Sequence, residues 1–212
     1  MPTSAYRCSS PFPVGTELGG APSSKRIMHR NLTWAELLEK LSQKAFDCAE
    51  EDELELLESE QPGRLKSRWL GFPCAVADAI AARETALGTR LPADYRAFLS
   101  ISNGFRGLAE LPYGLCSLLA VEEIGWIGDK DGDGGGGRLD THDWDDAAPE
   151  DFMAREDRKR ALLIGDSDGN ECILLLPPRE ADDDWEAWTY HPEAGFLGGD
   201  TFRAFLESAL EV

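Results

Sequence analysis

The pattern of apolar and polar residues predicts a helical first half and a strand-rich second half. A first helix is expected to begin at Thr33, because Thr33 and Glu36 form a capping box that satisfies two backbone N–H groups of the first turn. The apolar residues that follow recur at helical steps and share one face: Trp34, Leu37, Leu38 and Leu41. The acidic stretch AEEDELELLESE predicts a continuation or a second helical piece, ended by Gln61-Pro62-Gly63.

Residues 69–105 predict two further helices. The first follows Pro73 and ends at Gly88, with an apolar stripe formed by Val76, Ile80 and Leu87. The second has Pro92 in its first turn, close to Asp94, and ends at Asn103-Gly104. Its expected inner face consists of Tyr95, Phe98, Leu99 and Ser102. These residues are expected to pack in the core.

Beyond Phe105 the pattern changes to short apolar or alternating runs between turn signals, which is typical of strands. The runs are LCSLLAVEEIGWIG, ALLIGDSDGNECILLL and WEAWTYH. Asp168-Gly169 between two apolar runs predicts a tight hairpin, and a last amphipathic helix is expected from about Thr201. This order predicts an α+β fold, with N-terminal helices packed on a mostly antiparallel twisted sheet and a C-terminal helix.

Composition divides the 212-residue chain further. Residues 1–30 are rich in Ser, Pro and Gly without periodicity, and a disordered tail is expected there. Residues 31–63 are read as an acidic helical segment, and residues 64–212 as the α+β domain, with an acidic Gly/Asp loop at about 128–151. The five scattered cysteines and the lack of a signal peptide or membrane span predict a reduced, cytoplasmic protein.

The formal net charge of −19 is the strongest compositional signal. Such a surface repels phosphate backbones, so binding to nucleic acid is not expected. No membrane association is expected either. The charge is consistent with simple solvation of the surface and equally with recognition of a basic partner, and composition does not choose between the two.

The block at 69–105 has a specific pattern that resembles a known family. The matching residues are Trp69, Gly71, Pro73, Ile80, Glu84, Leu87-Gly88, Leu91-Pro92, Asp94-Tyr95, Phe98-Leu99 and Asn103-Gly104. This pattern resembles the core signature of the SUKH superfamily, which includes fungal regulators of cell-wall synthesis and killer-toxin resistance and many bacterial immunity proteins. The likeness covers about residues 64–210, and it implies that the matching residues maintain the fold rather than form a site.

The resemblance implies an α+β domain that acts by binding protein, without known enzymatic activity; no cofactor is expected. Bacterial members typically neutralise a polymorphic toxin, often a nuclease, and nucleases are basic because they hold nucleic acid. An acidic inhibitor can then be steered to the toxin's active-site face. The first hypothesis is therefore an immunity protein for a basic toxin domain, and the alternative is a regulatory scaffold like the fungal members.

A third hypothesis comes from Gly165-Asp166-Ser167-Asp168-Gly169, which matches the G-x-S-x-G motif of serine hydrolases. That motif requires a helix after the serine, so that the serine lies on a strained strand-to-helix turn. The residues that follow are NECILLLPP, which predict a second strand. A hairpin explains the glycines and aspartates without catalysis, so the chain is not expected to be an enzyme.

The segment DKDGDGGGGRLD resembles a calcium-binding EF-hand loop, because acidic residues fall at the ligand positions and a glycine at the turn. Its flanking sequences do not predict the paired helices of an EF-hand, and four consecutive glycines raise the entropy lost on ordering. No specific metal site is therefore expected. The loop is instead a candidate partner-binding surface, or a solvated loop, through these residues: Asp129, Asp131, Asp133, Asp140, Asp143, Trp144, Asp145 and Asp146.

Overall fold

Five helices precede the sheet in the part of the chain that the structure describes. The structure is a computed structural model, and it describes residues 32–107, 117–127, 153–167, 171–180, 184–191 and 195–211. The five helices are α1 (Trp34–Cys48), α2 (Glu51–Glu60), α3 (Arg64–Ser67), α4 (Ala77–Leu87) and α5 (Ala93–Leu99). No helix within these ranges is both long and apolar enough to cross a bilayer.

The second half forms one antiparallel sheet of six strands. The strands are β1 (Ser117–Leu118), β2 (Gly125–Trp126), β3 (Leu162–Asp166), β4 (Cys172–Leu176), β5 (Glu186–His191) and β6 (Gly195–Asp200). The order is β1-β3-β4-β5-β6, and β2 pairs with the same edge of β3 as β1 does. A short helix α6 (Arg155–Arg158) precedes β3, and α7 (Phe202–Ser208) closes the chain. The predicted α+β class is confirmed.

Three elements of the described chain were absent from the sequence prediction. These are α3, α6 and β6. The first two have only four residues each, too few to establish a helical period. Strand β6 reads GFLGGD, and its glycines remove the alternation that marks a strand. The run at 115–128 is also not one strand, because β1 and β2 are two-residue strands separated by a turn.

Local capping fixes the start of α1 as expected. The Thr33 hydroxyl accepts a hydrogen bond from the Glu36 N–H at 3.2 Å, and the Glu36 carboxylate accepts one from the Thr33 N–H at 2.7 Å. The backbone bond from Thr33, followed by the bond from its hydroxyl, lowers the pKa of Glu36. One face of α1 is buried in the core and consists of Leu37, Leu38, Leu41, Ser42, Ala45 and Phe46.

The 69–105 block extends the sheet beyond β1. Phe105 forms antiparallel bridges to Gly71 on one side and to Leu118 on the other. The buried Ser102 hydroxyl accepts a hydrogen bond from the Phe72 N–H at 2.7 Å and donates to the Gly104 carbonyl. A Cβ on Gly71 would lie 2.6 Å from the Ser102 oxygen, which explains the glycine of the W-x-G pattern by close packing.

Asp94 connects α5 to the closing helix. One carboxylate oxygen accepts a hydrogen bond from the Tyr95 N–H at 2.7 Å, and the other accepts one from the Arg203 N–H in the first turn of α7 at 3.0 Å. The two helices also share a cluster of rings, here called the aromatic cluster: Trp34, Tyr95, Phe98 and Phe202. The signature residues thus hold the helices together, as the resemblance implied.

Helix α4 has no fully buried residue, although Ile80 and Leu87 of the predicted stripe are half-buried and pack against the core. Val76, predicted to start its apolar stripe, is 66% exposed, so that prediction was wrong. Five of its eleven residues are alanine, and such small side chains give only a weak apolar stripe. Two hydrogen bonds tie α4 to the β2 region: Arg83 donates to the Ile124 carbonyl, and the Trp126 indole N–H donates to the Leu87 carbonyl at 3.1 Å.

Candidate binding cleft

The partner-binding residues predicted from sequence all lie outside the described part of the chain. These are Asp129, Asp131, Asp133, Asp140, Asp143, Trp144, Asp145 and Asp146. Residues 1–30 and the turn residues Asp168 and Gly169 also lie outside it. The loop therefore stays a prediction, and the site below is built from other residues.

Ser167 lies at a hairpin rather than at a strand-to-helix turn. Its N–H donates to the Glu171 carbonyl at 3.0 Å, and the next element is strand β4. The Glu171 carboxylate lies 3.1 Å from the His191 Nε2 atom on β5. The register thus places Glu171 between Ser167 and His191, whose backbones are two strand spacings apart, about 10 Å. A catalytic triad requires histidine beside the serine, so the geometry opposes the hydrolase hypothesis.

A cleft opens at the opposite end of the sheet, where β4 ends and β5 begins. It has a volume of about 510 Å³, within the range of ligand pockets. Its wall comes from α6, the ends of β4 and β5, and the junction of β6 with α7. The lining residues with functional groups are Asp157, Arg179, Asp184, Trp185, Glu186 and Thr201. We call this feature the tryptophan cleft.

A network around Asp157 makes one wall of the tryptophan cleft. The Asp157 side chain is only 11% exposed and accepts hydrogen bonds from Arg160 at 3.1 Å and from Arg179 at 2.6 Å. The Arg160 guanidinium also donates to the carbonyls of Pro177 and Pro178 at 3.3 Å. The hydrogen bond to Asp157, reinforced by charge attraction, raises the pKa of the Arg179 guanidinium. This wall is therefore fixed by paired charges.

Two tryptophans form an aromatic wall. The Trp185 ring stacks on the Trp126 ring with centroids 6.4 Å apart and planes at 23°. The strand register is consistent with this contact. Trp126 of β2 pairs with Leu162, which pairs with Leu175, which pairs with Ala187 of β5. Trp185 lies two residues before Ala187 and therefore on the same face of the sheet. Both rings are half-buried. Trp185 thus lines the tryptophan cleft, and Trp126 packs against its ring.

The acidic groups of the tryptophan cleft differ in how they are held. Glu186 accepts a hydrogen bond from the Trp188 indole N–H at 2.9 Å through one carboxylate oxygen. Asp184 is exposed, and none of the hydrogen bonds or ion pairs found in the described structure involves its carboxylate. With Asp157 they give three carboxylates against the one guanidinium of Arg179. A carboxylate-rich cleft with an aromatic wall is suited to a cationic group.

Sequence reasoning missed this cleft although a signal was present. Residues 179–186 read READDDWE, in which five acidic residues surround Trp185. From sequence, only the part that begins at Trp185 was predicted to have a structure, as the start of a strand. An acidic run beside a tryptophan at a strand end is comparable to the 129–146 loop, and the same argument applies to both. The contributions of Asp157 and Trp126 come from distant segments and need the fold.

We expect Trp126→Phe to loosen α4 selectively. Phenylalanine keeps an aromatic ring but lacks the indole N–H, so the hydrogen bond to the Leu87 carbonyl is lost. Of the two bonds that tie α4 to the β2 region, only that from Arg83 to Ile124 then remains. A loss of about 1 kcal/mol would speed amide exchange across residues 77–87 roughly five-fold. Hydrogen exchange followed by mass spectrometry measures this. Trp188→Phe, which removes the bond to Glu186 instead, is the control; equal exchange of α4 in both variants would contradict the role of Trp126.

The fold and the cleft define a class of protein: a helix-flanked antiparallel sheet domain with a surface suited to binding. Comparison with family models gives a match to the SMI1 / KNR4 family (SUKH-1) over residues 75–208, more than half of the chain. The chain belongs to this family, which confirms the resemblance seen in the sequence. Members of the family are generally non-catalytic. A search of curated proteins gave no significant match.

Proposed function

We propose that this chain is an immunity-type protein that binds and neutralises a basic, nuclease-type toxin domain. The observation that carries the proposal is the net charge of −19 on a chain that belongs to a generally non-catalytic family. A nuclease holds phosphates with positive charge, so an acidic protein is attracted to its active-site face and can replace the nucleic acid there. Function then requires a stable surface rather than a catalytic group.

The described surface supports this proposal through the position of its acidic residues. Residues 50–60 contain no basic residue, and Glu51, Asp52 and Glu55 of α2 are exposed to solvent. Leu56 on the same helix is 55% exposed, which adds an apolar contact among the carboxylates. The loop at about 128–151 is proposed as a further contact region from its sequence alone. Acidic groups with a few apolar residues are typical of surfaces that recognise basic proteins.

We expect this protein to bind, and protect cells against, a toxin domain encoded beside its own gene. Long-range attraction accelerates association, so the association rate constant should fall about ten-fold or more as the salt concentration rises from 0.01 to 0.15 M, with little change in dissociation. Stopped-flow fluorescence of the tryptophans measures the rates, and co-expression measures protection. Absence of both binding and protection with the adjacent toxin would show that the proposal is wrong.

The second candidate is a regulatory scaffold of the kind found among the fungal members. It is favoured by the long segment ahead of the family match, which begins only at residue 75 and leaves the Ser-, Pro- and Gly-rich residues 1–30 outside it. A gene without a toxin neighbour, together with a partner lost on deletion of residues 1–30, would support the scaffold and exclude the immunity function.

A further inference from the structure

We infer that the tryptophan cleft is a receptor for a single arginine side chain presented by the basic partner. The inference rests on the proposed function, because it names how an acidic protein of this kind would hold its partner. The contact is assigned to residues of the described chain, which differ from those of the 129–146 loop. The occupant is a guanidinium group on a protein, recognised by an aromatic face and two carboxylates.

The tryptophan cleft is formed before any ligand arrives. Arg179 and Arg160 hold Asp157, the Arg160 guanidinium fastens the Pro177–Pro178 backbone, and Trp126 supports the Trp185 ring. A site whose walls are fixed by internal contacts loses little conformational entropy on binding. Tryptophan is also one of the residues most often found as a binding hot spot.

The open groups of the cleft match a guanidinium. Trp185 offers an indole, the best ring for cation–π contact, and arginine can stack its plane on it. Among the described residues, no partner bonds the Asp184 carboxylate, and Glu186 has one oxygen bonded to Trp188 while the other has no bond there. A guanidinium has five N–H donors in a fixed plane, so it can stack and donate to both carboxylates. A lysine ammonium lacks this geometry.

Charge argues against an anionic occupant. The guanidinium groups of Arg179 and Arg160 are both paired with Asp157, at 2.6 Å and 3.1 Å. Asp184 and Glu186 then leave the lining negative. A phosphate or carboxylate group would be repelled by this set, whereas a cation is attracted.

The test titrates the protein with N-acetylarginine amide and follows the tryptophan indole N–H signals by NMR. The Trp185 signal is expected to shift at millimolar ligand, and the citrulline analogue, which has the same shape without the charge, should leave it unmoved. Asp184→Asn/Glu186→Gln, which preserves side-chain shape and the acceptor for Trp188, should weaken binding at least ten-fold. Glu39→Gln/Asp78→Asn, at exposed positions of α1 and α4, removes the same charge elsewhere and should bind as the unmodified protein does.

The same variants are then measured against the toxin domain encoded beside the gene. Trp185→Ala should raise the Kd about 30-fold, the effect of a strong hot spot. If the toxin binds both cleft variants with unchanged affinity, the inference is wrong although the proposed function stands. If arginine amide shifts Trp185 but no toxin binds, the cleft assignment stands and the proposed function is wrong. An unmoved Trp185 signal, or equal losses in the Glu39→Gln/Asp78→Asn control, would also overturn the inference.

Discussion

Gly198→Ala is expected to lower the free energy of unfolding by more than about 4 kcal/mol, a large fraction of the total stability of an ordinary domain. Gly198 has φ +147°, and a Cβ there would lie 2.4 Å from the Ala187 carbonyl oxygen and 2.7 Å from the Trp188 Cα atom. Both atoms belong to the backbone of β5, so no side-chain rotation relieves the overlap. The β5–β6 pairing, which shifts register between Ala187 and Trp188, would have to open.

Gly199→Ala, at the next position, is the matched control. Gly199 also has a positive φ, +102°, but the nearest atom to an added Cβ is a ring carbon of Trp188 at 3.5 Å, an ordinary contact. Backbone strain alone predicts a loss of about 1–3 kcal/mol there. Urea unfolding followed by circular dichroism compares the two. If both variants lose the same stability, the close approach of β6 to β5 at Gly198 is not the cause of the loss.

Local chemistry was enough to predict most helices of the described chain. The capping box at Thr33 forms its two hydrogen bonds, and Gly88 adopts φ +67° at the end of α4. Thr201 caps α7 through a hydrogen bond from the Ala204 N–H at 3.3 Å. Each signal depends on residues within one helical turn, and such interactions act before tertiary packing. This is why these boundaries were recoverable from one sequence, whereas the predicted end of α5 at Asn103-Gly104 was wrong, because the helix ends at Leu99.

The hairpin was recoverable for a similar reason. Strands β3 and β4 pair in antiparallel register around the predicted turn, from Leu162 with Leu175 to Asp166 with Cys172. Two apolar runs joined by a short polar segment have few other ways to bury their side chains. Gly165 has a packing explanation as well, because a Cβ there would lie 3.0 Å from the Ser117 carbonyl oxygen of β1. Its place in a G-x-S-x-G pattern needs no catalysis.

The tryptophan cleft required the fold. Trp126 and Trp185 meet only because β3 and β4 lie between their strands and align them in register. Asp157 and Arg179 are brought together by a four-residue helix that has no sequence period. Long-range pairing of this kind depends on tertiary structure, and no local rule expresses it. A sequence can therefore indicate which segments are acidic and aromatic, but not which of them share a surface.

Phe98→Ala is expected to cost about 3–5 kcal/mol, as for other buried phenylalanines. Phe98 is fully buried at the centre of the aromatic cluster, with ring centroids 5.4 Å from Phe202, 5.7 Å from Tyr95 and 6.5 Å from Trp34. These rings come from α1, α5 and α7, and α7 packs on β5 and β6. A cavity there would loosen the helices from the sheet, and we expect the melting temperature to fall by roughly 6–20 °C.

Tyr95→Phe, in the same cluster, should change the free energy of unfolding in the direction opposite to that of Phe98→Ala. The Tyr95 side chain is completely buried, and its hydroxyl has no hydrogen-bond partner in the described structure. Burial also raises the pKa of this phenol, so the group stays neutral. Removing an unsatisfied hydroxyl should maintain or raise stability by about 1 kcal/mol, because its desolvation is no longer uncompensated. Calorimetry of both variants distinguishes packing from polarity: a Tyr95→Phe loss as large as that of Phe98→Ala would mean that the hydroxyl has a partner that stabilises the core.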